Sequence, residues 1–514
     1  MNQKEMTRCE QIFQATKEYL TSLGLVVPEV SFEVASTQKV IAGAVYGFPI
    51  NVPHTSYGSD MEYFNRASSA TGGNFFAKEI VFNDPKRPKA FLLESNPFLL
   101  NVLVIVHVCG HVDFFRKNIY FSDINFVDLA RRAANARQRF LDYCQKYGED
   151  TVMSIITSAM TIAKHHFSDT GSNSLNLSRV VTEENELLNS VRVRLNEISY
   201  SLRHDLFLSR YDKEELGKEK KELIQILAKM KQDGIKDPLS PQYDLIDYLL
   251  INSPLARHGF VRDILETIRM QGRYFAVLQR TRMLNEGWAS YWHYEALENL
   301  VNRGLISMAE LLKLRADYDT NTTANVKIKS GEFNDYAVGS EFYRYTRARY
   351  DRIGGPGAGL AKILEIRERY ADGGAIGNFF TDEFIAKMEL FEWEDFVDSN
   401  DRKYRVVTNT NPKLLRQKFA SDLALRGIPT LTIEDGNYNG RGELLIRHRY
   451  TGFELNPKQE ELALASVYRL WQNIVWLQTF RIVKPESVDN PPELEPVFIK
   501  FDGTKAKEEK VNQG

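Results

Sequence analysis

The chain has 514 residues, 43% of them hydrophobic, which is enough apolar material for the cores of roughly two to four domains and excludes a disordered chain. Its 66 basic and 68 acidic side chains leave a net charge of -2. That balance supplies no overall field for nucleic acid or an anionic membrane. The three cysteines, Cys9, Cys109 and Cys144, lack CxxC spacing, which argues against a disulfide framework or a cysteine zinc knuckle and fits a reducing cytoplasm.

The N-terminus, Met1 to Gln11, is polar with mixed charge and does not read as a signal peptide. Residues 5 to 24 place Ile12, Phe13, Tyr19, Leu20 and Leu23 at helical intervals, with Gly24 as a stop. Val40 to Gly58 reads as an aromatic, glycine-rich loop. The apolar run Phe98 to Val108 is broken by Asn101 and falls short of the ~20 residues that span a bilayer, so no membrane span is expected. Residues 126 to 165, 176 to 232 and 257 to 317 read as long amphipathic helices rich in Arg, Glu and Leu. Within them, Tyr211 to Asp233 is dense in Lys and Glu and reads as a solvated helix face. The cluster Gly354, Gly355, Pro356, Gly357, Ala358, Gly359 is followed by Leu360 and Ala361 rather than Lys and Ser or Thr, so it predicts a loop and not a phosphate cradle.

Past Phe396 the pattern shifts to short alternating strands at Tyr404 to Val407, Thr430 to Ile433 and Leu444 to Arg449. Asp435 to Gly440 has hairpin-turn chemistry between the last two, and a helix is expected from Pro457 to Thr479. The predicted fold is therefore α+β and predominantly α. A helical main domain covers 1–397, a small α+β domain 398–487, and a loosely held tail 488–514.

The candidate chemistry starts at His107, Val108, Cys109, Gly110, His111. On a helix, residues four apart stand one turn apart on one face, so both imidazoles reach one ion. HxxxH alone equally describes a pair of buried structural histidines. A second segment, Asn285 to His293, places Glu286 and His293 seven apart, nearly two turns and so on one stripe, with the small Ala289 and Ser290 between them for a close helix contact. Two histidines from one helix and a carboxylate from another make a three-ligand zinc site with an open position. The plain alternative is a buried helix in which Glu286 pairs with an arginine and His293 is a core residue. Cys109, turned about 200° from His107, is assigned to packing and His448 to a structural role, and the pair His165, His166 reads as one buried and one exposed helical position.

The phrases VIVHVCGHVDFFRKN (104–118) and MLNEGWASYWHY (283–294) resemble the two signature stretches of the stage V sporulation protein R (SpoVR) family. Tyr46 to Pro49, His54, Tyr57, Gly58, Glu79, Asn83, Pro85, Tyr274, Phe275, Gly442 to His448, Leu470 and Trp471 extend the resemblance over about residues 40 to 480. The family resemblance implies a link to spore cortex and cell-envelope formation and to stress physiology. As partners it implies a PrkA-type kinase and a von Willebrand A-like protein. The two phrases also resemble, remotely, gluzincin-type zinc peptidases, in which a HExxH helix and a downstream Glu hold the metal. This implies a zincin-like centre with zinc on His107, His111 and Glu286, and the seven-residue spacing admits His293 as a further ligand or proton donor.

One departure bears on mechanism. In HExxH enzymes the Glu after the first His is the general base, and Val108 stands there instead. A replacement must come from another segment, with Glu79, Asp113 and His54 as candidates and Glu295 as a further acid. Glu79 and Asp113 also fit capping or ion-pair roles, and His54 fits a plain loop position. The expected function is a cytoplasmic regulatory protein, or one of non-standard activity, with a metal-dependent hydrolase as the alternative.

Overall fold

The computed structural model describes residues 1–46, 81–84, 86–122, 124, 126–165, 183–205, 207–319, 333–397, 402–426, 428–450, 455–483 and 493–509. The fold is α+β and predominantly α, as the sequence predicts. It divides into two compact units, each built from two stretches of chain: Met1–Ala134 with Val277–Arg426, and Asn135–Ala276 with Gly427–Gly514. This differs from the linear boundary expected at 397/398. Helices from the middle of the chain belong with the C-terminal strands, and residues 398–426 belong with the first unit.

The first unit is built around helix Phe98–Lys117. Its run of Val, Ile and Leu is apolar all round, which is the signature of a buried helix. Among the described residues it is the one helix with the length and apolarity to cross a membrane, and most of it is buried within the protein. Helix Gln3–Ser22, opened by a capping box between Asn2 and Glu5, packs on it. A small sheet lies beside it, with Lys89–Leu93 between Ser31–Ala35 (parallel) and Val81–Phe82 (antiparallel).

Helix Arg282–Asn302 packs on the Phe98–Lys117 helix on one side and on helix Asp335–Gly354 on another. Both contacts depend on small residues. A Cβ added at Gly110 would stand 2.6 Å from the Ala289 Cα, and one at Gly287 would stand 2.4 Å from the Gly339 Cα. Backbones this close leave no room for larger side chains. The start of helix Arg282–Asn302 is held by Asp372, whose carboxylate accepts from the backbone N–H groups of Met283 (2.8 Å) and Leu284 (3.0 Å) and pairs with Arg426 at 2.6 Å. Burial pushes the Asp372 carboxyl up to about 7, against the pull of Arg426 and the two N–H donors.

The glycine cluster 354–359 is a tight helix-to-helix turn into helix Ala358–Arg369. Asp351 accepts from the Gly357 and Gly359 N–H groups there, in keeping with a loop rather than a nucleotide site. Tyr404 also falls differently from expectation. Lys403–Asn409 pairs with Glu392–Val397 in a separate two-stranded ribbon of the first unit.

The second unit carries a five-stranded sheet in the order Ala506–Glu509, Glu493–Phe501, Val475–Val483, Glu443–Arg449, Thr430–Tyr438. Neighbours are antiparallel except Glu443–Arg449 with Val475–Val483, which is parallel and is bridged by helix Pro457–Trp471. A parallel pair requires such a crossover. The expected hairpin is present, turning at Asn439 (φ 59°) and Gly440 (φ 66°). Two expectations are corrected. The helix ends at Trp471 and not at Thr479, because Gln472 adopts a left-handed conformation (φ 68°) and the β-branched and aromatic run after it forms a strand. The expected tail from 488 holds two strands, Glu493–Phe501 and Ala506–Glu509, which bury Val497, Ile499 and Phe501 on one face.

Helices Glu183–His204 and Arg210–Gln232 pack through Leu188, Val191, Leu195, Leu227 and Met230 in the same unit. The fully buried Arg192 bonds to Asp237 at 2.7 Å and Asn252 at 2.7 Å and lies over the Trp471 ring.

Candidate metal centre

His107 and His111 leave the same face of helix Phe98–Lys117, and Glu286 reaches them from helix Arg282–Asn302. Glu286 Oε2 stands 3.8 Å from His107 Nε2 and 3.4 Å from His111 Nε2. One ligand atom from each of the three residues lies within 4.8 Å of the others. Two donors each about 2.0–2.1 Å from a tetrahedral ion stand roughly 3.3–3.4 Å apart. The His111 to Glu286 separation already has that value, and the His107 to Glu286 separation is longer. Both imidazoles are buried, and Glu286 is the more exposed of the three at 17% of its side chain.

The far side of each ring is engaged. His111 Nδ1 lies 2.9 Å from Asn285 Oδ1, and His107 Nδ1 lies 3.2 Å from His293 Nδ1. The seven-residue spacing thus brings Glu286 and His293 to one interior region, with His293 only 8% exposed. His293 meets the nitrogen of His107 that faces away from Glu286, and the three-residue group does not include it. Aromatic rings line the cluster: Tyr336 stacks on His107 (6.3 Å between centroids), Phe115 on His111 (6.0 Å), and Tyr294 lies against His293 (4.2 Å).

The other sequence candidates fall elsewhere. Asp113, two residues past His111 and so turned about 200° from it, is fully buried. It accepts from Val26 N–H (2.7 Å) and Trp288 Nε1–H (2.8 Å) and faces Arg367 at 3.5 Å. Burial raises its pKa, and Arg367 and the two N–H donors oppose the rise. This is a structural node joining the chain near Val26 to three helices, and the structure does not bring it to the cluster. His54 and Glu79 lie outside the described residues. Val108 is fully buried. Cys109 is buried too, and desolvation pushes its thiol up to about 12, which leaves it an inert packing residue.

Asn285 and Tyr336 are the members that sequence reasoning passes over. Asn285 precedes Glu286 within the quoted phrase, so its signal is adjacency to a ligand candidate. Tyr336 comes from a different helix and carries no local signal.

The first unit is predominantly helical and brings together two histidines and a carboxylate that could hold a metal ion. The model of the family described as "SpoVR like protein" matches residues 3–428, a span that contains every residue of the cluster, and the chain belongs to that family. It is similar to the uncharacterized protein YcgB of Escherichia coli (strain K12), with 24% identity over 470 residues, covering 87% of this chain and 86% of that protein. No solved structure matches.

Proposed function

We propose that this SpoVR-family chain is a cytoplasmic metal protein in which His107, His111 and Glu286 hold one zinc ion, and that its role is regulatory or rests on a non-standard reaction. The convergence of two imidazole nitrogens and a carboxylate oxygen within 4.8 Å of one another carries the reading. Three protein ligands leave a fourth position, which zinc enzymes give to water or substrate, and the bound ion supplies Lewis acidity there. That open position supports the alternative, a metal-dependent hydrolase of peptidase or amidase type. Val108 weighs against ordinary peptide hydrolysis, because no carboxylate follows the first histidine to take a proton. The family resemblance supports a role in spore-cortex, cell-envelope or stress physiology. It also supports partnership with a PrkA-type kinase and a von Willebrand A-like protein.

The test is elemental analysis of full-length protein purified without chelator, with circular dichroism to establish that variants fold. The wild type is expected to carry about one zinc per chain at ligand distances of about 2.0–2.2 Å, and Glu286→Gln and His107→Ala to lose it with the fold retained. A wild type that contains no zinc and takes up none on titration would overturn the reading.

A further inference from the structure

We infer that Asn285 is the positioning residue of this centre: it fixes which nitrogen of His111 faces the ion and thereby sets the strength with which the site holds metal. The inference rests on the metal reading above and deepens it.

An amide oxygen accepts hydrogen bonds and cannot donate them. With Asn285 Oδ1 at 2.9 Å from His111 Nδ1, the proton of that contact belongs to the imidazole. A neutral His111 is then the Nδ1–H tautomer, and its lone pair sits on Nε2, the atom 3.4 Å from Glu286 Oε2. The tautomer that can ligate is selected before any ion arrives. Outer-shell acceptors of this kind orient a ligating imidazole and raise its basicity.

Asn285 is itself held firmly. It is buried at 6% exposure, and its backbone N–H bonds to Thr281 O at 2.8 Å. It stands one residue after the Met283 and Leu284 amides that Asp372 anchors. A single turn of helix therefore supplies both a ligand, Glu286, and the support for another ligand, His111, from the facing helix. Ala289, one turn further on, packs its backbone against Gly110 and fixes the spacing across which the Asn285 bond is made. An uncharged acceptor adds no second carboxylate beside Glu286. This tunes the site below the affinity that a histidine–carboxylate pair would give it.

The experiment measures Zn²⁺ affinity of the full chain by competition with a chromogenic chelator in wild type, Asn285→Leu and Asn285→Asp. Leu has similar size and no acceptor, and its affinity is expected to fall about 10- to 100-fold. Asp keeps the acceptor and makes it anionic, and its affinity is expected to equal or exceed that of the wild type. A residue that merely fills space would respond in the opposite order, since a buried added charge is worse packing than Leu. A Leu variant that folds and binds within twofold of the wild type, or an Asp variant as weak as Leu, would overturn the role of Asn285 while leaving the metal centre standing. A wild type that binds no zinc would overturn both.

The imidazole ¹⁵N shifts of zinc-loaded wild type give a readout that needs no variant to fold. His111 is expected to be protonated at Nδ1 and coordinated through Nε2. Coordination through Nδ1 would overturn the inference.

Discussion

His107, His111 and His293 of the first unit and His448 of the second are buried, His165 of the second is half-buried, and their neighbours put them to different uses. In the first unit, the His107 and His111 rings turn their Nε2 atoms toward one carboxylate while their Nδ1 atoms meet His293 and Asn285. In the second, His165 Nδ1 donates to the Pro429 carbonyl at 2.8 Å, and His448 Nδ1 contacts Thr479 Oγ1 at 3.0 Å. The metal-ligand grouping found among the described residues belongs to the first unit alone. Burial lowers the pKa of His165 and of His448, and His448 is brought down to about 4 with a further contribution from His165 beside it. The comparison teaches that burial does not separate a ligand histidine from a structural one. The distinguishing feature is the carboxylate on the Nε2 side of His107 and His111.

The largest effect expected is at Val108. The comparison would break in one direction if the first unit were an ordinary peptidase centre. General-base help is worth on the order of 10² to 10⁴ in rate, so the wild type is expected to show no chelator-sensitive cleavage of generic peptides. Such cleavage, abolished in Glu286→Gln, would make the peptidase reading the better one. Val108→Glu restores the HExxH order, and from sequence alone it reads as a benign change on the same helix. The structure changes that expectation, because Val108 is fully buried. A carboxylate there has to be desolvated, at a cost of about 3 kcal/mol or more. The variant is expected to lose stability in a urea titration and to gain no proteolysis.

Much of the first centre was legible because helical periodicity is a local property. Spacings of four and seven place His107 with His111, and Glu286 with His293, without any knowledge of the fold. Asn285 was not legible, because its role is a distance across two helices. The division into units was hidden for a related reason: the chain leaves the first unit near Ala134 and returns near Val277 with no change of composition at either point. In the second unit, prolines and lysines after 488 masked the alternation of Val497, Ile499 and Phe501, whose inward faces make that segment a strand. The helix beginning at Pro457 was overextended because no Gly or Pro separates it from Val475–Val483. Its actual stop is Gln472 in a left-handed conformation, followed by Asn473, whose side chain bonds to Asn196 and to the Arg441 carbonyl.

A smaller effect tests the structural role of the second pair. His448 has a folded pKa of about 4 against an ordinary value of 6.5, so between those values the unfolded chain carries a proton that the folded one refuses. Its contribution to stability is therefore fully present above about pH 6.5 and is lost as pH falls toward 4. The shift corresponds to on the order of 3 kcal/mol at most. Urea midpoints followed by tryptophan fluorescence at pH 7 and pH 5 should show a fall for the wild type that is reduced in His448→Gln. Zinc content should be unchanged in that variant. Loss of zinc on changing His448 would erase the distinction between the two regions.

The smallest effect decides where the boundary of the first centre runs. The seven-residue spacing admits His293 as a fourth ligand, and the structure sets it at 3.2 Å from His107 Nδ1, on the side of that ring away from Glu286. If His107 donates its Nδ1 proton to His293, its lone pair is left on Nε2 and His293 acts through His107. Removing the acceptor in His293→Phe should weaken zinc binding about tenfold, and His293→Gln, which retains an amide oxygen, should recover part of the loss. Throughout, X-ray absorption should count two imidazoles and one carboxylate from the protein. If His293 were a ligand, its replacement by Phe would remove one imidazole from that count and lower affinity as far as His107→Ala does. The two outcomes differ in coordination number as well as in affinity, so one spectrum on zinc-loaded His293→Phe separates a histidine that holds the ion from one that holds its neighbour in place.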